Sequence, residues 1–89
     1  GLTEIPQTLT KYRTLTNLNL GYNKIADISA LKELKSLTEL NLNDNQITDI
    51  SALKELKNLT ELDLRFNKIT DISVLASLSK FKTLTSLYK

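Results

Sequence analysis

From Leu15, Leu37 and Leu59 onward the chain repeats one 22-residue pattern three times, L-x-x-L-x-L-x-x-N-x-I-x-D-I-S-x-L-x-x-L-x-x. A fixed period of this length constrains the fold more than composition does. One such unit cannot bury an apolar face alone. It must stack on its neighbours and share a continuous core, which makes a solenoid. A solenoid offers an extended surface rather than a crevice, so binding is the first function to consider.

Numbering each repeat from its first Leu, position 4 is Leu18, Leu40, Leu62 and position 6 is Leu20, Leu42, Leu64. Polar residues stand at positions 3 and 5. This period-2 alternation predicts short strands with one buried face. From position 14 the apolar residues are spaced by three, as in Ile50, Leu53, Leu56, Leu59. That spacing fits 3₁₀ geometry, in which side chains at i and i+3 eclipse. The predicted fold class is therefore an α/β solenoid of stacked coils. A short parallel sheet lines the concave face, and 3₁₀ or short helical turns form the convex face.

Position 9 is Asn23, Asn45 and Asn67. The chain must turn out of the strand there, leaving backbone groups unpaired. A buried carboxamide has two donors and an acceptor with which to satisfy them and link neighbouring coils. Asp27, Asp49 and Asp71, with Ser29, Ser51 and Ser73 two residues on, are short acceptors at the start of the helical turn and suit capping. A metal-binding column of aspartates is the alternative, but no complementary ligands accompany it.

The ends depart from the pattern. Leu2, Ile5, Leu9, Tyr12 and Leu15 resemble the back half of a coil, with Ile5-Pro6 opening the turn. Near the other end, Phe81 to Leu87 matches Leu56 to Leu62, which makes the third unit 25 residues long. The extra residues fall around Ser79-Lys80-Phe81 and predict a longer, more α-like segment, with Leu87 at strand position 4. The chain then divides as one domain: a half-coil over 1–14, repeats over 15–36, 37–58 and 59–83, and a terminal strand over 84–89.

These residues resemble the 22-residue class of leucine-rich repeats found in bacterial internalins and in a phosphatase regulatory subunit. The phrases Asn45-Gln46-Ile47-Thr48-Asp49-Ile50-Ser51 and Asn67-Lys68-Ile69-Thr70-Asp71-Ile72-Ser73 look particularly internalin-like. The resemblance covers residues 15–78 strongly and implies protein binding through the concave face and its flanking loops. It also suggests a bacterial cell-surface or secreted location. Ala30, Ala52 and Val74 stand where internalins commonly have Pro, and flanking cap domains are not seen. Gly1 in place of an initiator Met points to a processed chain, or to a segment of a longer array or an engineered scaffold with a structural role. Uncapped ends would expose apolar cross-section and strand edge, so end-to-end self-association is expected.

Composition narrows the function classes. With no His and no Cys, the common general base, thiol nucleophile and soft metal ligands are missing. Neither catalysis nor a cofactor is expected. A net charge of +2 with mixed signs does not suggest nucleic acid. No apolar run approaches the ~18 residues of a membrane span.

The first two repeats are identical from Asp27–Lys35 to Asp49–Lys57, the back of the coil, and differ along the front. A fixed back with a varied front suits a modular binder; unconstrained variation of exposed positions is the alternative. The front columns are Asn17, Glu39, Glu61, Ser86 and Asn19, Asn41, Asp63, Tyr88. Beside them run Gly21, Asn43, Arg65 and Tyr22, Asp44, Phe66. Aromatic residues and Arg dominate binding hot spots because they bury large areas with few rotors. The candidate protein-binding residues are therefore Tyr22, Glu39, Asn41, Asn43, Glu61, Asp63, Arg65, Phe66 and Tyr88. Against this, Tyr22 and Phe66 could instead fold over the strand edge and pack on their neighbours. Four strands ~4.8 Å apart span only ~15 Å. A standard interface takes about 800 Å² per partner, so flanking loops or further repeats would have to contribute.

Overall fold

The computed structural model describes residues 2–71, 73, 74, 83 and 84. Four parallel strands form one sheet in sequence order: β1 (Asn17–Asn19), β2 (Glu39–Asn41), β3 (Glu61–Asp63) and β4 (Thr83–Leu84). Between them run 3₁₀ turns: η1 (Gln7–Lys11), η2 (Ser29–Glu33) and η3 (Ser51–Glu55). The chain is thus a solenoid of stacked coils, each with a strand on one side and a 3₁₀ turn on the other, as the repeat pattern predicts.

Register follows the period. Leu18 stands opposite Leu40, and Leu40 opposite Leu62. A one-residue slip would turn every one of these leucines outward, so the core fixes the register. Leu40 and Leu62 are buried, while Leu18 in the edge coil is partly so. Parallel pairing continues past the strands: Leu20 N–H donates to the Asn41 carbonyl at 2.8 Å and Leu42 N–H to that of Asp63 at 2.9 Å.

The fourth strand corrects the sequence reading. Leu84, not Leu87, stands opposite Leu62, and Thr83, not Ser86, stands beside Glu61. The spacing from β3 to β4 is therefore again 22 residues rather than 25. Two frames fit the apolar pattern here, because Phe81, Leu84 and Leu87 are three residues apart. Backbone pairing at the established period selects the shorter one. The strand expected at 86–88, the longer helix around Ser79–Phe81, and Tyr88 lie outside the described residues.

The three-residue spacing of the back is a hydrogen-bond chain. Leu31 N–H donates to Ile28 O, Leu34 to Leu31 and Leu37 to Leu34, and the same steps recur from Ile50 through Leu53 and Leu56 to Leu59. Each residue that bonds is also one that buries its side chain. The N-terminal half-coil repeats the step through Pro6, Leu9, Tyr12 and Leu15. It docks on the first full coil through Lys24 N–H to Leu2 O (2.7 Å) and Ala26 N–H to Thr3 O (3.2 Å), and it buries Ile5. One apolar cluster runs from Ile5 to Ile69.

Candidate functional site

The sheet turns its polar positions to the concave side. Strand pairing brings Asn17, Glu39, Glu61 and Thr83 into one row and Asn19, Asn41 and Asp63 into a second. Between β1 and β3 these rows line an open concavity of about 560 Å³. Three carboxylates and three carboxamides line it, without a cation of its own.

The second row also ends the strands. Asn19 Oδ1 accepts the Gly21 N–H at 3.0 Å, Asn41 Oδ1 accepts that of Asn43 at 2.9 Å, and Asp63 Oδ1 accepts that of Arg65 at 3.1 Å. Short side-chain acceptors that bond two residues on favour a turn over continued strand. This role escaped the sequence reading, although three short acceptors at one repeat position were a usable signal. So was Thr at position 2: the Thr38 and Thr60 hydroxyls donate to the Thr16 and Thr38 carbonyls.

Immediately after this turn the backbone enters the left-handed region. Tyr22, Asp44 and Phe66 have φ of 59°, 58° and 62°. Asp tolerates this conformation because its short side chain bonds locally, whereas bulky residues meet their own backbone. Two aromatics nevertheless occupy it, and packing does not compensate: Tyr22 is 78 % exposed and Phe66 50 %. The alternative in which both fold down onto their neighbours is not what is seen.

The row between strand and rim is uneven. Gly21 leaves open the space into which Asn43 lies, since a Cβ at Gly21 would collide with Asn43 Oδ1. Asn43 is only 6 % exposed, and its Nδ2 donates to Asp44 Oδ2 at 3.0 Å. It therefore has little surface to offer a partner. Arg65 folds back onto Asp63, its Nε and Nη2 donating to the two carboxylate oxygens at 3.0 and 2.8 Å. The guanidinium holds the Asp63 carboxyl below its ordinary value, and Asp63 in turn raises Arg65. Glu61 behaves oppositely. A hydrogen bond with the adjacent Glu39 carboxyl, and next the repulsion of its charge, raise Glu61 from its ordinary value.

Behind the face, the Asn column works as a structural ladder. Asn45 Nδ2 donates to the Leu20, Leu42 and Asn43 carbonyls, and its Oδ1 accepts the Ile25 N–H at 3.0 Å. Asn67 repeats this with Leu42, Leu64, Arg65 and Ile47. Asn23 bonds Leu20 and Gly21 and accepts the Leu2 N–H. On the back, Asp27, Asp49 and Asp71 accept the Ser29, Ser51 and Ser73 N–H groups at 2.9 Å. These bonds, and next the serine hydroxyls, lower all three carboxyls. The expected side-chain N-caps are not what is seen: the cap positions are Ile28 and Ile50, which make no side-chain cap bond, and the aspartates one residue earlier instead hold the N–H of Ser29 and Ser51, the first residues of η2 and η3. Among the described residues no group of three or more His, Cys, Asp or Glu could hold a metal ion.

Of the sequence candidates, Glu39, Asn41, Glu61 and Asp63 line the concavity and Arg65 bonds Asp63, while Tyr22 and Phe66 stand exposed three residues beyond β1 and β3, at the rim where the chain leaves the sheet. Asn43 is buried, and Tyr88 lies outside the described residues.

Known proteins share this arrangement. Residues 13–55 and 35–77 match the family described as Leucine Rich repeats (2 copies). Internalin C2 of Listeria monocytogenes superposes with a TM-score of 0.88 at 37 % identity, over 97 % of this chain and 37 % of that one. Another internalin of that organism, inlF, gives 0.85 at 42 % identity over 91 % and 24 %. A leucine-rich repeat protein of Leptospira interrogans gives 0.86 at 33 % identity over 99 % and 24 %. The chain therefore spans little more than a third of the length of these structures, or less. No curated protein matched its sequence. Repeat pattern, strand register, asparagine ladder and these matches agree: the chain belongs to the leucine-rich repeat family, in its internalin-like form.

Proposed function

We propose that this chain is a non-catalytic protein-recognition module that binds its partner on the concave face of the sheet. Leucine-rich repeat proteins commonly mediate protein–protein interaction and are generally not enzymes. The observation that carries the reading to this face is the aromatic rim. Tyr22 and Phe66 sit in a backbone conformation that disfavours them and stay exposed, so folding gains little from their bulk. Rigid exposed aromatics beside a concave polar surface are what interfaces use as anchors. The working set is Tyr22, Glu39, Asn41, Glu61, Asp63, Arg65 and Phe66, with Tyr88 retained from sequence alone.

Phe66→Ala and Tyr22→Ala test this. Each weakens partner binding by more than ~1 kcal/mol without lowering the melting temperature. Lys54→Ala on the convex back leaves affinity unchanged. Loss of affinity on the back-face change alone contradicts the reading. A second reading treats the same coils as a stretch of a longer repeat array with a structural or self-assembling role, which the partial coverage of the internalin structures favours. Sedimentation showing association that tracks the coil ends, with the rim variants silent, would favour that one.

A further inference from the structure

Position 7 of the repeat is used differently from coil to coil. Arg65, whose counterpart one coil back is Asn43, lies partly exposed over Asp63. Asn43, whose counterpart one coil back is Gly21, is buried in the space that a Cβ at Gly21 would fill. There its Oδ1 has no hydrogen-bond donor among the described residues. A buried oxygen without a donor is disfavoured, because water satisfied it before folding. One bond holds the carboxamide in, Nδ2 to Asp44 Oδ2 at 3.0 Å, and that carboxylate is itself only partly buried. The bond and the orphaned oxygen are effects of similar size and opposite sign. The inward and outward placements of this side chain therefore lie close in free energy, and a ligand that bonds only the outward form shifts the balance.

The surroundings say what such a ligand offers. Asn19 and Asn41 line the concavity, and their Oδ1 atoms accept the backbone N–H of Gly21 and of Asn43. Those bonds fix both carboxamides and leave each Nδ2 without a bond among the described residues. Asn19 Oδ1 also lies 3.3 Å from the place of a Gly21 Cβ, beside the notch that Asn43 fills. Three carboxamides thus meet at one end of β1 and β2. Two present donors, and the third carries the unused acceptor. We propose that Asn43 is a concealed partner-binding residue: its carboxamide leaves the notch over Gly21 and accepts a backbone N–H of a protein segment, whose carbonyls accept from Asn19 and Asn41 Nδ2. This deepens the concave-face reading and rests on it. Peptide groups match because each carries one donor and one acceptor, repeated at short intervals along the chain. A charged side chain supplies only donors or only acceptors.

The test uses the full 89-residue chain and two defined peptides, acetyl-(Gly)₄-methylamide and acetyl-(sarcosine)₄-dimethylamide. The second keeps every carbonyl and has no N–H. Binding is followed by backbone and side-chain amide chemical shifts. The glycine peptide should shift the side-chain amides of Asn19, Asn41 and Asn43 and bind more tightly than the sarcosine peptide. Gly21→Ala should hold Asn43 out, since the new Cβ and Asn43 Oδ1 cannot share the notch and Gly21 has no left-handed φ that Ala would strain. It should tighten the glycine peptide by roughly threefold, because release no longer opposes binding. Asn43→Ala should weaken that peptide, and on this background G21A should add nothing, which separates release of Asn43 from any other effect of the new methyl. Equal affinity for the two peptides, no gain from G21A, or a gain that survives N43A overturns the proposal. So does a glycine peptide that binds nowhere at millimolar concentration. If N43A has no effect while the β1 and β2 amides still move, Asn43 falls and the concave-face reading stands. If the peptide shifts only Ser29–Glu33 and Ser51–Glu55, both fall.

Discussion

The asparagines at position 9 are the residues on which most of the backbone depends. Asn45 satisfies three carbonyls and one N–H from two adjacent coils and is itself buried. Asn45→Ala should destabilise by about 1–3 kcal/mol, because truncation strands buried backbone groups that water cannot reach. A denaturant midpoint that does not move would contradict this. Asn23 bonds two carbonyls, both in its own coil, and Asn23→Ala should cost less. This ladder was legible in the sequence, since an invariant carboxamide in an apolar frame has few other uses. The left-handed residues were not. Tyr22, Asp44 and Phe66 share no side-chain chemistry, and no glycine marks the position. The requirement lies in the backbone. Phe66→Gly should therefore be more stable than Phe66→Ala by roughly 1 kcal/mol, since only glycine escapes the left-handed penalty. Thermal unfolding of the two variants measures it; equal stability would mean that position 8 carries no strain.

At the scale of elements, strand and 3₁₀ turn were both readable from spacing, two for the strand and three for the turn. The fourth strand was not, because Phe81, Leu84 and Leu87 satisfy two frames and only backbone pairing separates them. The turns also set a pH dependence. Folding lowers the Asp27, Asp49 and Asp71 carboxyls through the serine N–H groups. A lowered carboxyl stabilises the fold above its unfolded value, near 3.9, and that contribution is lost as pH falls through the folded value. Asp63 and Glu55 act in the same sense. Glu61 is raised and opposes them, gaining stability on acidification. Five lowered groups outnumber one raised, so stability should decline below about pH 4. The triple variant D27N/D49N/D71N should flatten that decline while keeping the turns, since Asn still accepts the serine N–H. An unchanged acid limb in melts across pH would show that these aspartate–serine bonds do not carry it.

At the scale of the molecule, identical backs and differing fronts acquire a physical meaning. The backs coincide because η2 and η3 serve the same hydrogen-bond chain and the same buried triplet. The fronts are free to differ because side chains there meet solvent, apart from the position-5 acceptors and Asn43. The candidate site was legible as a face but not residue by residue. Burial of Asn43 depends on the absence of a side chain at Gly21 one coil away, and the engagement of Arg65 depends on how its fork reaches Asp63. Neither follows from repeat position. The most direct measurement is the hydrogen-exchange footprint of a bound protein partner on the full chain. The account predicts slowed exchange across Asn17–Asn19, Glu39–Asn41 and Glu61–Asp63 and at the rim from Gly21 to Tyr22 and Arg65 to Phe66, with Ser29–Glu33 and Ser51–Glu55 unchanged. A footprint confined to those two turns, with the strand amides untouched, would contradict it.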